Sequence, residues 1–64
     1  MKIILPDKSC HETAGPPVTV EALLRKLGFD PVGVMVVRNG TLVTEDAIVE
    51  NADEVRIIRI AHGG

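Results

Sequence analysis

The dipeptide Asn39-Gly40 constrains the fold of this chain more than any other feature, because it lies between two short apolar runs. Asn and Gly both accept the positive φ angles of a type I′ turn, and this pair between two such runs is the strongest short hairpin signal. The first run, residues 32–37, is rich in β-branched side chains, and the second is residues 41–43. We therefore predict an antiparallel hairpin built from these two segments.

An amphipathic helix is predicted before the hairpin. Apolar side chains recur at the i, i+3, i+4 and i+7 spacing of one buried helix face. They are Val20, Leu23, Leu24 and Leu27. Thr19 is the expected N-cap, and Glu21 lies in the first turn, where its charge complements the helix dipole and pairs weakly with Arg25. Gly28 and Pro31 follow and are typical of a helix end.

Residues 1–5 read as a first strand, which Pro6-Asp7 ends. Residues 8–17 are polar and turn-rich, so a second strand there must be short and irregular. Pro16 and Pro17 are expected outside the sheet or at its edge, because proline cannot donate a ladder hydrogen bond. The path of residues 8–18 stays open.

A final strand is predicted at residues 55–60, with Val55 and Ile57 facing inward and Ile60 as a further candidate. Residues 44–53 form a polar connection before it. We expect one or two of its apolar residues, 47–49, to anchor it to the core.

The 64 residues are enough for one domain, and we predict a single domain over residues 1–64. Phe29 is the sole aromatic residue, which argues against a deep aromatic-lined pocket. One amphipathic helix can cover one face of a small mixed sheet and leave the other face open to water. The sequence therefore predicts a two-layer α+β fold with four to five strands, in which the apolar final strand is central or nearly so.

Composition excludes several classes of function. The net charge is −2 and the basic residues do not cluster, whereas nucleic-acid binding favours a basic stripe with stacking aromatics. We find no apolar run of membrane-spanning length and no signal peptide, and we predict a cytoplasmic protein without a membrane partner. Cys10 is the sole cysteine, which fits a reducing compartment. Adjacent residues rarely converge on one metal, and only His62 could join Cys10 and His11, so no metal site is predicted.

The sequence ends at Gly63-Gly64, two residues after the predicted last strand. Such an end presents a main-chain carboxylate on a tail with almost no side-chain bulk. From this dipeptide alone, a frayed terminus and a reactive tail are equally good interpretations.

The order of these elements, the length and the diglycine together resemble the ubiquitin-like β-grasp sulfur carriers of the ThiS/MoaD family, over essentially the whole chain. The segments that carry the resemblance are the hairpin 36–43, the glycine-closed helix 20–28, and 53–58 running into Gly63-Gly64. Two features depart from the family pattern. Ala52-Asp53 replaces Gly-Asp before the last strand, and Pro6-Asp7-Lys8 replaces an Asn-Gly turn after the first. The short length is closer to ThiS than to MoaD.

The resemblance implies a β-grasp fold and a carrier that is not itself an enzyme. A ThiF/MoeB-type activating adenylyltransferase would use ATP with Mg²⁺ to adenylate the terminal carboxylate of Gly64, which is ionised at neutral pH. A persulfide sulfur donor would then convert the acyl-adenylate to a thiocarboxylate. The sulfur would go to a thiazole synthase of thiamin biosynthesis or to another sulfur-accepting synthase. No permanently bound cofactor is implied, and the free chain is expected to be a monomer.

Further residues follow from the same resemblance. Gly63 is expected to let the tail thread a narrow channel, since glycine has no Cβ atom. The exposed sheet face, with Arg38, Arg56 and Arg59, is the expected docking surface, with solvated strand charges as an equal alternative. His62 is either a partner contact or a solvated tail residue.

Three other functions stay open at this point. The same activated tail could serve molybdopterin synthesis or tRNA thiolation, and related β-grasp modifiers are attached through a diglycine to lysines of other proteins. An RNA-binding β-grasp module is disfavoured by the acidic balance, because phosphate contacts need Lys and Arg. No base, nucleophile and orienting group lie at a spacing that indicates an independent enzyme.

Overall fold

The computed structural model describes residues 1–60. It contains seven strands, one α-helix and one 3₁₀ turn. In chain order these are β1 (Lys2–Ile4), β2 (Cys10–Glu12), β3 (Val18–Thr19), α1 (Val20–Lys26), the 3₁₀ turn (Pro31–Gly33), β4 (Val34–Arg38), β5 (Thr41–Val43), β6 (Ile48–Val49) and β7 (Glu54–Arg59).

Five strands form one mixed sheet in the order β2-β1-β7-β4-β5. β1 and β7 are parallel, and the other neighbouring pairs are antiparallel. The last strand therefore lies in the middle of the sheet, with a partner on each side. The predictions of a small mixed sheet, one covering helix and a central final strand are confirmed.

The helix forms where its local signals place it. The Thr19 hydroxyl accepts a hydrogen bond from the Ala22 amide at 3.1 Å, as an N-cap does, and Glu21 pairs with Arg25 at 3.3 Å. Gly28 has φ +87°, the left-handed conformation expected after a helix. Leu27 does not join the buried face as predicted. It lies beyond Lys26, the last helical residue, and 37% of it is exposed.

The core lies between the helix and one face of the sheet. Its buried members are Ile3, Val20, Leu23, Leu24, Val34, Val36, Val49, Val55 and Ile57. Val55 and Ile57 face inward as predicted, because alternate residues of a strand point to the same face. Ile60 does not: it follows the end of β7 and is partly exposed, and its amide donates to the Gly33 carbonyl at 3.1 Å.

The hairpin is confirmed, since Asn39 has φ +50° and Gly40 has φ +84°. Its first strand starts two residues later than predicted. Pro31–Gly33 forms the 3₁₀ turn, and the Asp30 carboxylate caps it by accepting from the Val32 amide at 3.0 Å. Val32 is 79% exposed as a result.

A second, two-stranded sheet was not predicted. β3 pairs with β6 in antiparallel register, Val18 opposite Val49 and Thr19 opposite Ile48. Val49 is fully buried, which confirms that the 44–53 connection is anchored to the core. The Val20 amide also donates to the Ala47 carbonyl at 2.9 Å, so this small sheet fixes the start of the helix.

β2 lies in the polar, turn-rich segment of residues 8–17, and it forms one edge of the five-stranded sheet. β2 pairs only with β1 within the described part of the chain, and Pro16 and Pro17 lie outside the strands, as predicted. Lys8 adopts φ +72° in the turn before β2. No helix within residues 1–60 has the length and apolar character needed to cross a lipid bilayer.

Candidate functional site

The tail leaves the middle of the sheet, because β7 is the central strand and ends at Arg59. The hydrogen bond from Ile60 to Gly33 still holds the chain beside the start of β4. His62, Gly63 and Gly64 lie outside the described residues, so the roles predicted for them stay predictions.

The register between β4 and β7 shows which side chains share a face. Directly opposed residues of an antiparallel pair point to the same side of the sheet. The pairs Val36–Ile57, Arg38–Val55 and Val34–Arg59 include buried core residues and therefore face the helix. The pairs Met35–Ile58 and Val37–Arg56 face the opposite side.

The uncovered side of the sheet carries an apolar patch around Arg56, beside the charged residues Lys2, Glu12 and Glu54. We call the apolar patch together with Arg56 the open face. It comprises Ile4, Met35, Val37, Leu42, Arg56 and Ile58. Leu42 is 61% exposed and Met35 41%. A contiguous exposed apolar surface of this kind commonly marks a protein contact.

The three arginines predicted to line the docking face do not share it. The Arg38 guanidinium Nη1 donates to the Ile48 carbonyl at 2.7 Å, on the helix side of the sheet. The Arg59 guanidinium lies 5.6 Å from the centroid of the Phe29 ring, a cation–π contact near the helix end. Of the three, only Arg56 lies on the open face.

The apolar residues of the open face were not predicted as a binding surface, although the sequence of β4 carries a signal for them. Val34, Met35, Val36 and Val37 are apolar on both faces of β4. A run without alternation is typical of a strand that is covered on both sides. Here the helix covers one side, and on the other side Met35 is 41% exposed.

A polar network fixes the start of β7 at the end of the sheet opposite the tail. Asn39 donates from Nδ2 to the Asp53 carboxylate and accepts from the Glu54 amide, both at 2.8 Å. The Glu50 amide donates to the other Asp53 oxygen at 2.8 Å. These bonds, first that from Glu50 and then that from Asn39, lower the pKa of Asp53 below its ordinary value of 3.8.

This network also explains how alanine can occupy position 52, where the family pattern described above has glycine. In residues 1–60, only Lys8 and Asn39 among the non-glycine residues have positive φ. Ala52 therefore keeps an ordinary backbone conformation, and the Asp53 carboxylate holds the turn by accepting the Glu50 amide.

Cys10 and His11 do not converge. Cys10 is opposite Ile4 on the side of the open face, and His11 is opposite Ile3, whose side chain lies in the core. The His11 ring Nε2 is 3.3 Å from the Ser9 hydroxyl. No group of three or more His, Cys, Asp or Glu side chains within residues 1–60 has the arrangement of a metal site.

One helix on a five-stranded mixed sheet, with parallel first and last strands at its centre, defines the ubiquitin-like β-grasp class. The family model of the ThiS family matches residues 5–64, and the chain belongs to that family. Members of this family are sulfur carriers rather than enzymes. They work with an activating enzyme and a sulfur-accepting synthase.

The fold is also similar to a solved structure. The solution structure of a thiamine biosynthesis protein from Geobacter metallireducens is 23% identical in sequence, with a TM-score of 0.63, covering 100% of this chain and 88% of that one. This likeness supports the β-grasp fold. No curated protein sequence matches the chain.

Proposed function

We propose that residues 1–64 form one carrier domain that holds sulfur as a thiocarboxylate at Gly64, for the synthesis of the thiazole of thiamin. The observation that carries the proposal is the match to the ThiS family, which runs through the diglycine to Gly64. The central position of β7 supports it, because β4 pairs with the strand up to Arg59 and β1 holds its first half on the other side.

The chemistry starts at the terminal carboxylate, which is an anion at neutral pH. One of its oxygens attacks the α-phosphorus of ATP, and pyrophosphate leaves. A persulfide sulfur of the donor then attacks the acyl carbon and displaces AMP. A thiol then attacks the donor sulfur of the resulting acyl disulfide, forms a disulfide with the donor and releases the thiocarboxylate.

The activating enzyme supplies what this chain lacks. A carboxylate is a modest nucleophile, so rate enhancement requires positioning and stabilisation of the developing phosphate charge. Residues 1–60 contain no glycine-rich phosphate loop with its lysine. We therefore assign ATP and Mg²⁺ to a ThiF-type adenylyltransferase. Gly63 lets the tail pass into its site, since a side chain there would add bulk and restrict φ.

The open face is the surface that this enzyme would bind. Its apolar residues supply contact area, and Arg56 supplies one charge that a carboxylate of the partner can pair with. Arg38 and Arg59 lie on the helix side of the sheet and are not assigned to this contact.

Thiazole synthesis is the destination that the relatives favour. The family is ThiS, and the similar structure from Geobacter metallireducens is that of a thiamine biosynthesis protein. The acceptor would be a thiazole synthase. Delivery to molybdopterin or tRNA, or conjugation to lysines, would start with the same activation step.

Intact mass spectrometry tests the proposal. The protein is incubated with the ThiF-type adenylyltransferase of the same organism, ATP, Mg²⁺, a persulfide donor and a thiol. We expect its mass to rise by the difference between one sulfur and one oxygen. Chains that lack Gly64 should show no rise. An unchanged mass for the wild-type chain, with an enzyme verified on its own carrier, contradicts the proposal.

The destination is tested separately. The thiocarboxylate form is added to a thiazole synthase, and we expect thiazole phosphate to form in amounts limited by the carrier. If the mass rises but no thiazole forms, the carrier role stands and the destination is wrong.

A further inference from the structure

β7 is longer than the strand beside it, and this leaves a notch in the sheet next to the tail exit. The ladder between β1 and β7 ends where Ile4 is opposite Arg56. The chain then turns away through residues 5–9, with the Leu5 amide bonded to the Ser9 carbonyl at 2.9 Å. Within residues 1–60, the last three residues of β7 have no strand on that side.

Backbone groups of β7 face this notch. Asn39 donates to the Glu54 carbonyl and Ile60 to the Gly33 carbonyl, so the even-numbered residues of β7 bond to β4. Successive peptide groups of a strand alternate in direction, and the odd-numbered residues therefore point to the other side. The Ile57 carbonyl and the Arg59 amide and carbonyl are thus directed into the notch. Unpaired edge groups of this kind accept an added strand.

The walls of the notch are mainly apolar and carry three cationic side chains. It is an open cleft of about 870 Å³ that the turn 5–8, Phe29 and residues 56–59 line. Lys8, Arg56 and Arg59 bring three positive charges to it. The one carboxylate, that of Asp7, accepts from the amide and the hydroxyl of Ser9 at 2.9 and 2.6 Å.

Charged residues are distributed unevenly between the two ends of β7, and the notch lies at the basic end. At the opposite end of β7, the Asp53–Asn39 network and the loop before it collect carboxylates. They are Glu50, Asp53 and Glu54. The chain is acidic in total, yet the end beside the tail is basic. Complementary charge therefore favours an acidic partner there.

We infer that the notch binds an extended acidic segment of the activating enzyme, which adds to the free edge of β7 in continuation of β1. Main-chain hydrogen bonds to residues 57 and 59 fix its register, and carboxylates on it pair with Lys8 and Arg59. A segment in this place lies directly against the start of the tail. The identity of the partner rests on the proposed function; the chemistry of the bound segment does not.

An NMR titration tests the notch without the enzyme. The ¹⁵N-labelled protein is titrated with the acetylated, amidated peptide Glu-Val-Glu-Val-Glu, and with Lys-Val-Lys-Val-Lys as control. We expect the acidic peptide alone to shift the amides of residues 5–9 and 57–60. No shifts, equal shifts with both peptides, or shifts confined to other surfaces overturn the inference, whatever the enzyme does.

Enzyme kinetics test the partner. Lys8→Glu and Arg59→Glu are compared with Lys26→Glu and Arg25→Glu, which make the same charge changes on the exposed surface of the helix, outside the notch. The notch variants should raise the KM of adenylation about tenfold each at low salt with kcat little changed, and the difference should shrink at high salt.

The outcomes separate the two proposals. If the wild-type chain is thiolated and all four variants have equal KM, the enzyme does not use the notch and the inference fails. If the wild-type chain is not thiolated, the proposed function fails, and the peptide titration decides on the notch. Folding of each variant is checked by its amide spectrum.

Discussion

Asn39 stabilises the fold both through its backbone conformation and through its side-chain hydrogen bonds. Its backbone adopts φ +50°, which the hairpin turn requires and which most side chains resist. Its side-chain amide joins the hairpin to the start of β7 by bonding Asp53 and the Glu54 amide. The turn and the central strand are therefore coupled through this residue.

Two substitutions separate the contribution of the backbone conformation from that of the side-chain hydrogen bonds. Asn39→Gly keeps the positive φ but removes both side-chain hydrogen bonds, and Asn39→Ala removes the hydrogen bonds and disfavours the turn. We expect the free energy of unfolding to fall by about 1 kcal/mol for Gly and by about 2 kcal/mol for Ala. Urea unfolding monitored by circular dichroism measures both. A smaller loss for Ala than for Gly would show that the turn conformation contributes nothing.

Asp53 makes stability depend on pH in a definite direction. Its pKa is lowered in the folded protein because the Glu50 amide and the Asn39 side chain donate to its carboxylate. A lowered folded-state pKa gives stability that is present above the unfolded value and is lost as pH falls through the folded one. Stability should therefore be level near neutral pH and decline below about pH 4.

Asp53→Asn should reduce that decline, because the amide does not titrate. Asp7 and Asp46 also have lowered pKa values, each first because a neighbouring hydroxyl donates to it, so part of the decline will remain. Urea midpoints of both proteins between pH 2 and 7 measure the effect. Parallel pH profiles for the two proteins would contradict the assignment.

At the scale of elements, Thr19 joins a strand to the helix. It pairs with Ile48 as the last residue of β3, and its hydroxyl caps α1 at the Ala22 amide. Thr19→Ala should lower the free energy of unfolding by about 1 kcal/mol, and Thr19→Ser should retain most of it. The Ala22 amide should also exchange with solvent faster in the Ala variant. Equal stability and exchange in both variants would show that the cap is dispensable.

The elements that sequence reasoning predicted are those with local signals. The Asn39-Gly40 turn and the 3.6-residue period of the helix depend on residues close together in the chain. β3 and β6 have two residues each, too few for any periodicity, and they pair across about thirty positions. The start of β4 was misplaced because Val32 has strand propensity, whereas Asp30 and Pro31 set a turn there.

At the scale of the whole molecule, the open face offers a test of docking. Leu42→Asp places a charge on that face, and Val32→Asp places one on a more exposed apolar residue outside it. We expect the first to raise the KM of adenylation about tenfold and the second to leave it unchanged, because a few apolar anchor residues carry most of the binding energy of an interface. Both should unfold at similar urea concentrations. Equal KM values would show that the enzyme binds another surface.

The functional surface was only partly accessible from the sequence. That Arg56 and Arg59 lie on opposite sides of β7 follows from strand alternation, but the register that places Arg38 opposite Val55, on the helix side, requires the assembled sheet. The free edge of β7 likewise depends on where β1 ends, which becomes visible only when the two strands are paired. Residue types indicate chemistry, whereas neighbours from distant parts of the chain decide which groups are free.

The parallel arrangement of β1 and β7 has a mechanical consequence. Tension applied between residues 1 and 60 acts along both strands, so the hydrogen bonds between them are loaded in shear and must break together. The β4 ladder supports β7 on its other side. In an optical trap we expect a single abrupt rupture rather than stepwise peeling. A partner can then pull on the end of β7 without unfolding the rest of the domain.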